Sequence, residues 1–356
     1  MKKIITFALA ALLVLGSICA CSDNKDTDPT QAGAGKKLNV VTTVFPEYDW
    51  VKEVIKGNEA NIDMTFLMSK GTDLHSYQPS VEDITKISNC DLFIYVGGES
   101  DEWVHDVLEQ AKNKNMKAIN LVETLGDKAK AEEIVEGMEH DHDHDHDHDH
   151  EDGDEHEHEH AHEDGEEHEH EHEHEEEEID EHVWLSLRNA QVFVKAIADA
   201  MEALDPDHAS TYRSNTSAYV DKLAALDVEY KSAVSEGTKK TVLFGDRFPF
   251  RYLVDDYELT YYAAFVGCSA ETEASFETIA FLAGKVDELG LHTVFTIEGK
   301  DHKIAETVVK TAKNSKDIKI VTLDSMQGTT AKDAEKGTTY YSIMESNLAV
   351  LRDALK

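Results

Sequence analysis

Histidine and carboxylate side chains dominate one stretch of this 356-residue sequence, and both are ligands for divalent cations. Fourteen of the 20 histidines fall in a single run: His140, His142, His144, His146, His148, His150, His156, His158, His160, His162, His168, His170, His172 and His174. Over most of it histidine alternates with Asp or Glu. In an extended chain this puts imidazoles on one side at ~7 Å spacing and carboxylates on the other. The run has almost no apolar side chain, so it is expected to be disordered and to offer many weak, exchanging metal sites. Zinc, nickel or copper would bind such a tract, and affinity alone favours copper. The competing reading is a solvated acidic loop with no metal role.

Two more histidines stand apart. His75 sits in the polar loop Gly71-Thr72-Asp73-Leu74-His75-Ser76-Tyr77-Gln78-Pro79, behind a predicted strand. In open parallel sheets, ligands bind beyond the carboxyl ends of the strands. His182 sits in Asp180-Glu181-His182-Val183-Trp184-Leu185, where the His-rich run rejoins the fold. Outside that run no HExxH spelling occurs, and there is no nucleophile elbow, which weighs against a zinc hydrolase built on these two histidines.

The elements around these residues alternate. Apolar, β-branched runs at 38–45, 62–68, 91–96 and 116–121 read as strands, with helices at 47–56, from the Ser80 cap, and at 101–113. A second series has strands at 241–244, 259–265, 292–297 and 318–323 and helices at 250–256, 275–289, 303–311 and 340–355. Between the series lie helices at 189–204 and about 206–235, the second long enough to serve as a strut. The fold class expected is α/β: two parallel-sheet α/β lobes joined by a long rigid helix, with a metal cleft between the lobes. The domain plan is an N-terminal α/β lobe over 38–188 carrying the insertion 139–181, a helical region over 189–236, and a C-terminal α/β lobe over 237–356.

Charge supports treating the insertion separately. The chain has 73 acids against 34 Lys and Arg, a formal net of −39. Residues 139–181 hold 25 of those acids and no Lys or Arg, so the remainder carries −14, ordinary for an acidic globular protein. No basic cluster exists to neutralise phosphates, which excludes nucleic-acid binding. Lys2 and Lys3 followed by the apolar stretch Ile4 to Ile18 read as an export signal over residues 1–20, too short to span a bilayer. It ends in Ile18-Cys19-Ala20-Cys21, which resembles a lipobox with Cys21 as the lipidated residue; residues 21–37 then form a flexible tether.

His75-Ser76-Tyr77-Gln78-Pro79 and His182-Val183-Trp184-Leu185 together resemble the HxYxP and HxWL motifs of the zinc and manganese substrate-binding lipoproteins of ABC transporters, the cluster A-I solute-binding proteins. Gly97-Gly98, Glu102-Trp103, Glu273-Ala274-Ser275 and Val321-Thr322-Leu323-Asp324 add to the likeness, which covers about residues 38 to 356. It implies that His75, His182 and Asp324 are metal ligands. The family's ligand after the first strand of the second lobe falls on Asp246 or Arg247, depending on the direction of counting. Arginine has no lone pair to offer, so Asp246 is expected, with Cys268 and Glu273 in reserve. The Asp that usually follows HxWL is replaced by Ser186. The resemblance implies a monomeric, non-enzymatic receptor, lipid-anchored on the outer face of the membrane, that captures Zn2+ and hands it to an ABC permease. Mn2+ specificity is one alternative, because two His and two carboxylates also suit manganese. A surface zinc store or adhesin is the other.

Overall fold

The computed structural model describes residues 37–139, 178–269, 273–299 and 301–356. The proposed leader, Cys21 and the histidines from His140 to His174 lie outside them. In chain order the first half carries β1 (Leu38–Thr42), α1 (Phe45–Val54), β2 (Ile62–Phe66), α2 (Val81–Asn89), β3 (Leu92–Tyr95), α3 (Trp103–Glu109), β4 (Lys117–Asn120) and α4 (Leu121–Leu125). Two helices follow, α5 (Leu187–Leu204) and α6 (Ala209–Glu236). The second half carries β5 (Thr241–Phe248), α7 (Arg251–Asp256), β6 (Thr260–Val266), α8 (Phe276–Leu289), β7 (Thr293–Thr296), α9 (Lys303–Thr311), β8 (Lys319–Thr322), α10 (Ala331–Glu335) and α11 (Tyr340–Ala354).

The strands form two four-stranded sheets, ordered β2-β1-β3-β4 and β6-β5-β7-β8, with every pairing parallel. The two orders are the same topology used twice. Each parallel pair needs a crossover, and α/β alternation supplies it. Both faces of such sheets are covered, which explains why β3 is buried along its whole length.

Local chemistry places the helix ends. Ser80 caps α2: its hydroxyl accepts from Asp83 N–H at 3.2 Å, and the Asp83 carboxylate accepts from Ser80 N–H at 3.0 Å. Gly290 closes α8 in the left-handed region at φ 58°. The α6 helix has 28 residues, about 42 Å at 1.5 Å per residue.

One buried apolar core runs from Val40 through α1, α5 and α6 to Leu355, so both sheets rest on shared helices. Trp50 of α1 meets Tyr340 of α11 edge-on at 5.1 Å and Phe193 of α5 at 5.6 Å. Separate clusters fill the outer face of each sheet.

Asp49 is 2% exposed in this shared core, with its carboxylate accepting the Tyr340 N–H at 2.8 Å. Burial pushes its pKa from 3.8 up to about 6, against the opposing pull of that hydrogen bond. A raised carboxylate favours the fold at low pH, below 3.8, and that contribution is lost as pH rises through about 6. Asp49→Asn removes the buried charge. In urea unfolding it is expected to be more stable than the parent at pH 7.5 by about 3 kcal/mol, with the advantage fading as pH falls below 6. An advantage that does not change with pH would contradict this.

Candidate metal centre

His75 lies on a 3-10 turn, Leu74–Ser76, beyond the carboxyl end of β2. Asp73 caps the turn by accepting the His75 N–H at 3.1 Å. The His75 ring is fixed through Nδ1, which stands 2.9 Å from Ser100 Oγ and 3.3 Å from Glu181 Oε2. His182 is fully buried, and its Nδ1 stands 3.0 Å from Asp180 Oδ1, which also accepts the His182 N–H at 2.8 Å. His182 therefore donates its Nδ1 hydrogen to the Asp180 carboxylate, which leaves its lone pair on Nε2, while His75 Nδ1 is hydrogen-bonded to the Ser100 hydroxyl with the Glu181 carboxylate beside it.

Those two Nε2 atoms face each other at 3.2 Å. Where both rings present a lone pair there, a cation between them removes the repulsion. Two imidazole nitrogens bound to one tetrahedral zinc, each at ~2.0–2.1 Å, would stand ~3.3 Å apart. The spacing therefore fits a shared cation. Burial pushes Glu181 up, but hydrogen bonds from His75 and Ser100 outweigh it and hold the carboxyl below its ordinary value. Gly98, at φ 84°, makes room for it: a Cβ there would come within 2.5 Å of Glu181 Oε1.

Cys268 joins this pair. It lies in the turn after β6, and its sulfur and the two imidazole nitrogens all lie within 4.8 Å of one another. Burial, followed by the nearby Glu132 and Asp180 carboxylates, raises its thiol far above the ordinary value. Gln327 completes the rim, with Nε2 at 3.3 Å from His182 Nε2 and a buried Oε1 that has no hydrogen-bond partner among the described residues.

Asp246 and Asp324 are not among the gathered donors. Asp246 accepts from Arg247 N–H at 2.9 Å and from Ile297 N–H at 3.2 Å, one bond on each oxygen. The β5 strand is longer than the sequence pattern suggests, and its register shifts between Phe244 and Arg247. Arg247 binds Asp73 at 2.6 Å, so the fixed cation on this strand holds the turn that carries His75. Asp324 Oδ1 accepts the Met326 N–H at 2.8 Å, and burial, with the Glu298 carboxylate alongside, raises Asp324 to about 6. The loop it opens carries Gln327 to His182, and its Ser325 carbonyl accepts from Trp184 Nε1 at 2.9 Å. Glu273 is exposed and outside the cluster.

The roles of Asp180, Glu181, Ser100 and Gln327 were not read from the sequence. Asp180 and Glu181 sit two places and one place before His182, but nothing in their spacing says that one serves each histidine.

The base of the insertion is pinned beside the site. Ala131 pairs antiparallel with Ile179, and Asp180 N–H donates to the Lys130 carbonyl at 2.9 Å. The Tyr252 hydroxyl takes the Lys130 N–H and gives its hydrogen to the Asp180 carbonyl, both at 3.0 Å.

Fold and site define a two-lobed α/β binding protein with imidazole and sulfur donors converging in its interior. A family model for the zinc-uptake complex component A, periplasmic (ZnuA), matches residues 40–354, and the chain belongs to that family. It is 32% identical over 326 residues to the zinc-binding protein AdcA of Streptococcus pyogenes serotype M6, covering 92% of this chain and 58% of that one. The chain thus spans less than two thirds of the length of that relative. It is 28% identical over 349 residues to the high-affinity zinc uptake system protein ZnuA of Bacillus subtilis, covering 98% of this chain and 96% of that protein. Among solved structures it is similar to the Zn(II)-bound ZnuA-like domain of Streptococcus pneumoniae AdcA, with TM-score 0.64 and 27% identity over 90% of this chain and 99% of that domain.

The carboxylates behind the imidazoles give a direct test. Asp180→Asn frees the His182 tautomer without changing side-chain shape. It is expected to weaken zinc binding about 10–100-fold in titration against a competing chelator, with unchanged circular dichroism. Full-strength binding by this variant would mean that Asp180 does not orient His182.

Proposed function

We propose that this chain is an extracytoplasmic receptor that captures zinc between its lobes and delivers it to an ABC permease for import. The observation that carries the reading is the opposed pair of imidazoles, His75 Nε2 and His182 Nε2 at 3.2 Å, with the other nitrogen of His182 hydrogen-bonded to Asp180 and that of His75 to Ser100. The names of the relatives, zinc-binding protein and high-affinity zinc uptake protein, support zinc as the cargo.

Binding is the whole task of such a site. An ion between the imidazoles would take one coordinate bond from each Nε2. A ligand that favours one arrangement of two lobes shifts the population toward it, and that difference is what a permease can read. The core shared between the sheets keeps the change small. No helix among the described residues is long and apolar enough to cross a membrane, and attachment is assigned to the lipid on Cys21. The His-rich insertion leaves the fold at Glu139, whose N–H donates to the Ala264 carbonyl at 3.0 Å, and rejoins it at Ile179 shortly before His182, so the proposal gives it the role of concentrating metal near the cleft.

The test is competitive titration of zinc and manganese on the chain with residues 140–174 deleted. One tight zinc site is expected, and His75→Ala and His182→Ala should each remove it with the fold intact. A tight site preferring manganese would keep a receptor but change its cargo. Loss of all tight binding on deletion would instead assign function to the insertion, as in a metal store.

A further inference from the structure

We propose that Cys268 is a direct ligand: the second lobe's donor to the ion held by His75 and His182, whose sulfur makes the site prefer thiophilic cations, zinc well above manganese. The proposal depends on the receptor reading for its cargo, but the choice of residue rests on separate observations.

The first is convergence. Among the described residues, His75, His182 and Cys268 are the one group of three His, Cys, Asp or Glu side chains whose donor atoms come together. The second is origin. His75 follows β2 and Cys268 follows β6, and these strands hold the same edge place in the two sheet orders. An ion bound by both residues therefore links the lobes at matching positions, as a cleft receptor requires. The third is placement. The Cys268 N–H donates to Glu132 Oε1 at 3.0 Å, which fixes the turn. Gly267 beside it lets the turn lie against the His182 ring, where a Cβ would come within 3.0 Å of both Nδ1 and the Phe248 carbonyl oxygen.

The fourth is competition. The second lobe's carboxylates are otherwise engaged: Asp246 with two backbone N–H groups, and Asp324 with one. Cys90 shows what a structural cysteine looks like in this chain, wholly buried in an apolar cluster with Phe93 and Val104. Cys268 instead faces imidazoles and has acidic neighbours.

On binding, the thiol gives up its proton to solvent and the sulfur donates its electron pair to the ion, one proton released per cation. Two imidazoles and a thiolate suit zinc. Manganese prefers oxygen donors, so the sulfur raises discrimination against it.

The test uses the full chain loaded with cobalt(II) as a spectroscopic substitute for zinc. Wild type should show a sulfur-to-cobalt charge-transfer band, abolished in both Cys268→Ser and His75→Ala. The histidines of the insertion have no sulfur and cannot produce that band. In wild type, zinc should slow alkylation of Cys268 by iodoacetamide at least ~10-fold, a readout that needs no variant. Cys268→Ser should lose about 100-fold in zinc affinity and much less in manganese affinity. A tight, His75-dependent site without the sulfur band and with Cys268 unprotected would overturn this inference and leave the receptor reading standing. No tight site in wild type, and no effect of His75→Ala, would overturn both.

Discussion

The structure turns on the contact between two imidazoles. Their Nε2 atoms face one another across 3.2 Å in an interior where His182 is fully buried. The arrangement persists because each ring is held from behind, His182 by Asp180 and His75 by Glu181 and Ser100. Burying a carboxylate is costly unless its oxygens are paired. Hence Glu181 also accepts the Ser100 N–H at 2.7 Å, while Asp180 accepts both the backbone and the ring of His182.

Holding the contact in place requires rigidity well beyond the ligands. The His182 turn is tied to the last helix by the bond from the Tyr340 hydroxyl to the Trp184 carbonyl at 2.7 Å, and to the loop after β8 by the Trp184 indole. The His75 turn is tied to the other sheet by Asp73 and Arg247. Both ties cross between the lobes, as does the core packed on α5 and α6. The family position expected to supply a metal ligand thus falls beside a salt bridge that fixes the turn carrying His75.

Much of this was legible in sequence, for physical reasons. Strand and helix periodicity gave all eight strands and the long α6, because buried parallel strands are apolar runs and helices announce their caps, as Ser80 does. His75 and His182 were legible from their motifs. The second lobe was harder. The run Gly245-Asp246-Arg247 looks like the end of a strand, so β5 was read as stopping at Phe244; it continues to Phe248 through a register shift, and that shift separates the environments of Asp246 and Arg247. Cys268 and Gln327 carry no periodic or motif signature. Their significance comes from where the turns after β6 and β8 deliver them, which is a property of the assembled sheets.

The central claim is that His75 Nε2 and His182 Nε2 share one cation. A crystal structure of the zinc-loaded chain, with anomalous differences collected across the zinc edge, tests it most directly. The account predicts a peak between the two rings at ~2.0–2.1 Å from each Nε2, with His182 Nδ1 still on Asp180 and His75 Nδ1 still on Ser100. Zinc found only elsewhere, with the two Nε2 atoms facing each other unbridged, would contradict it.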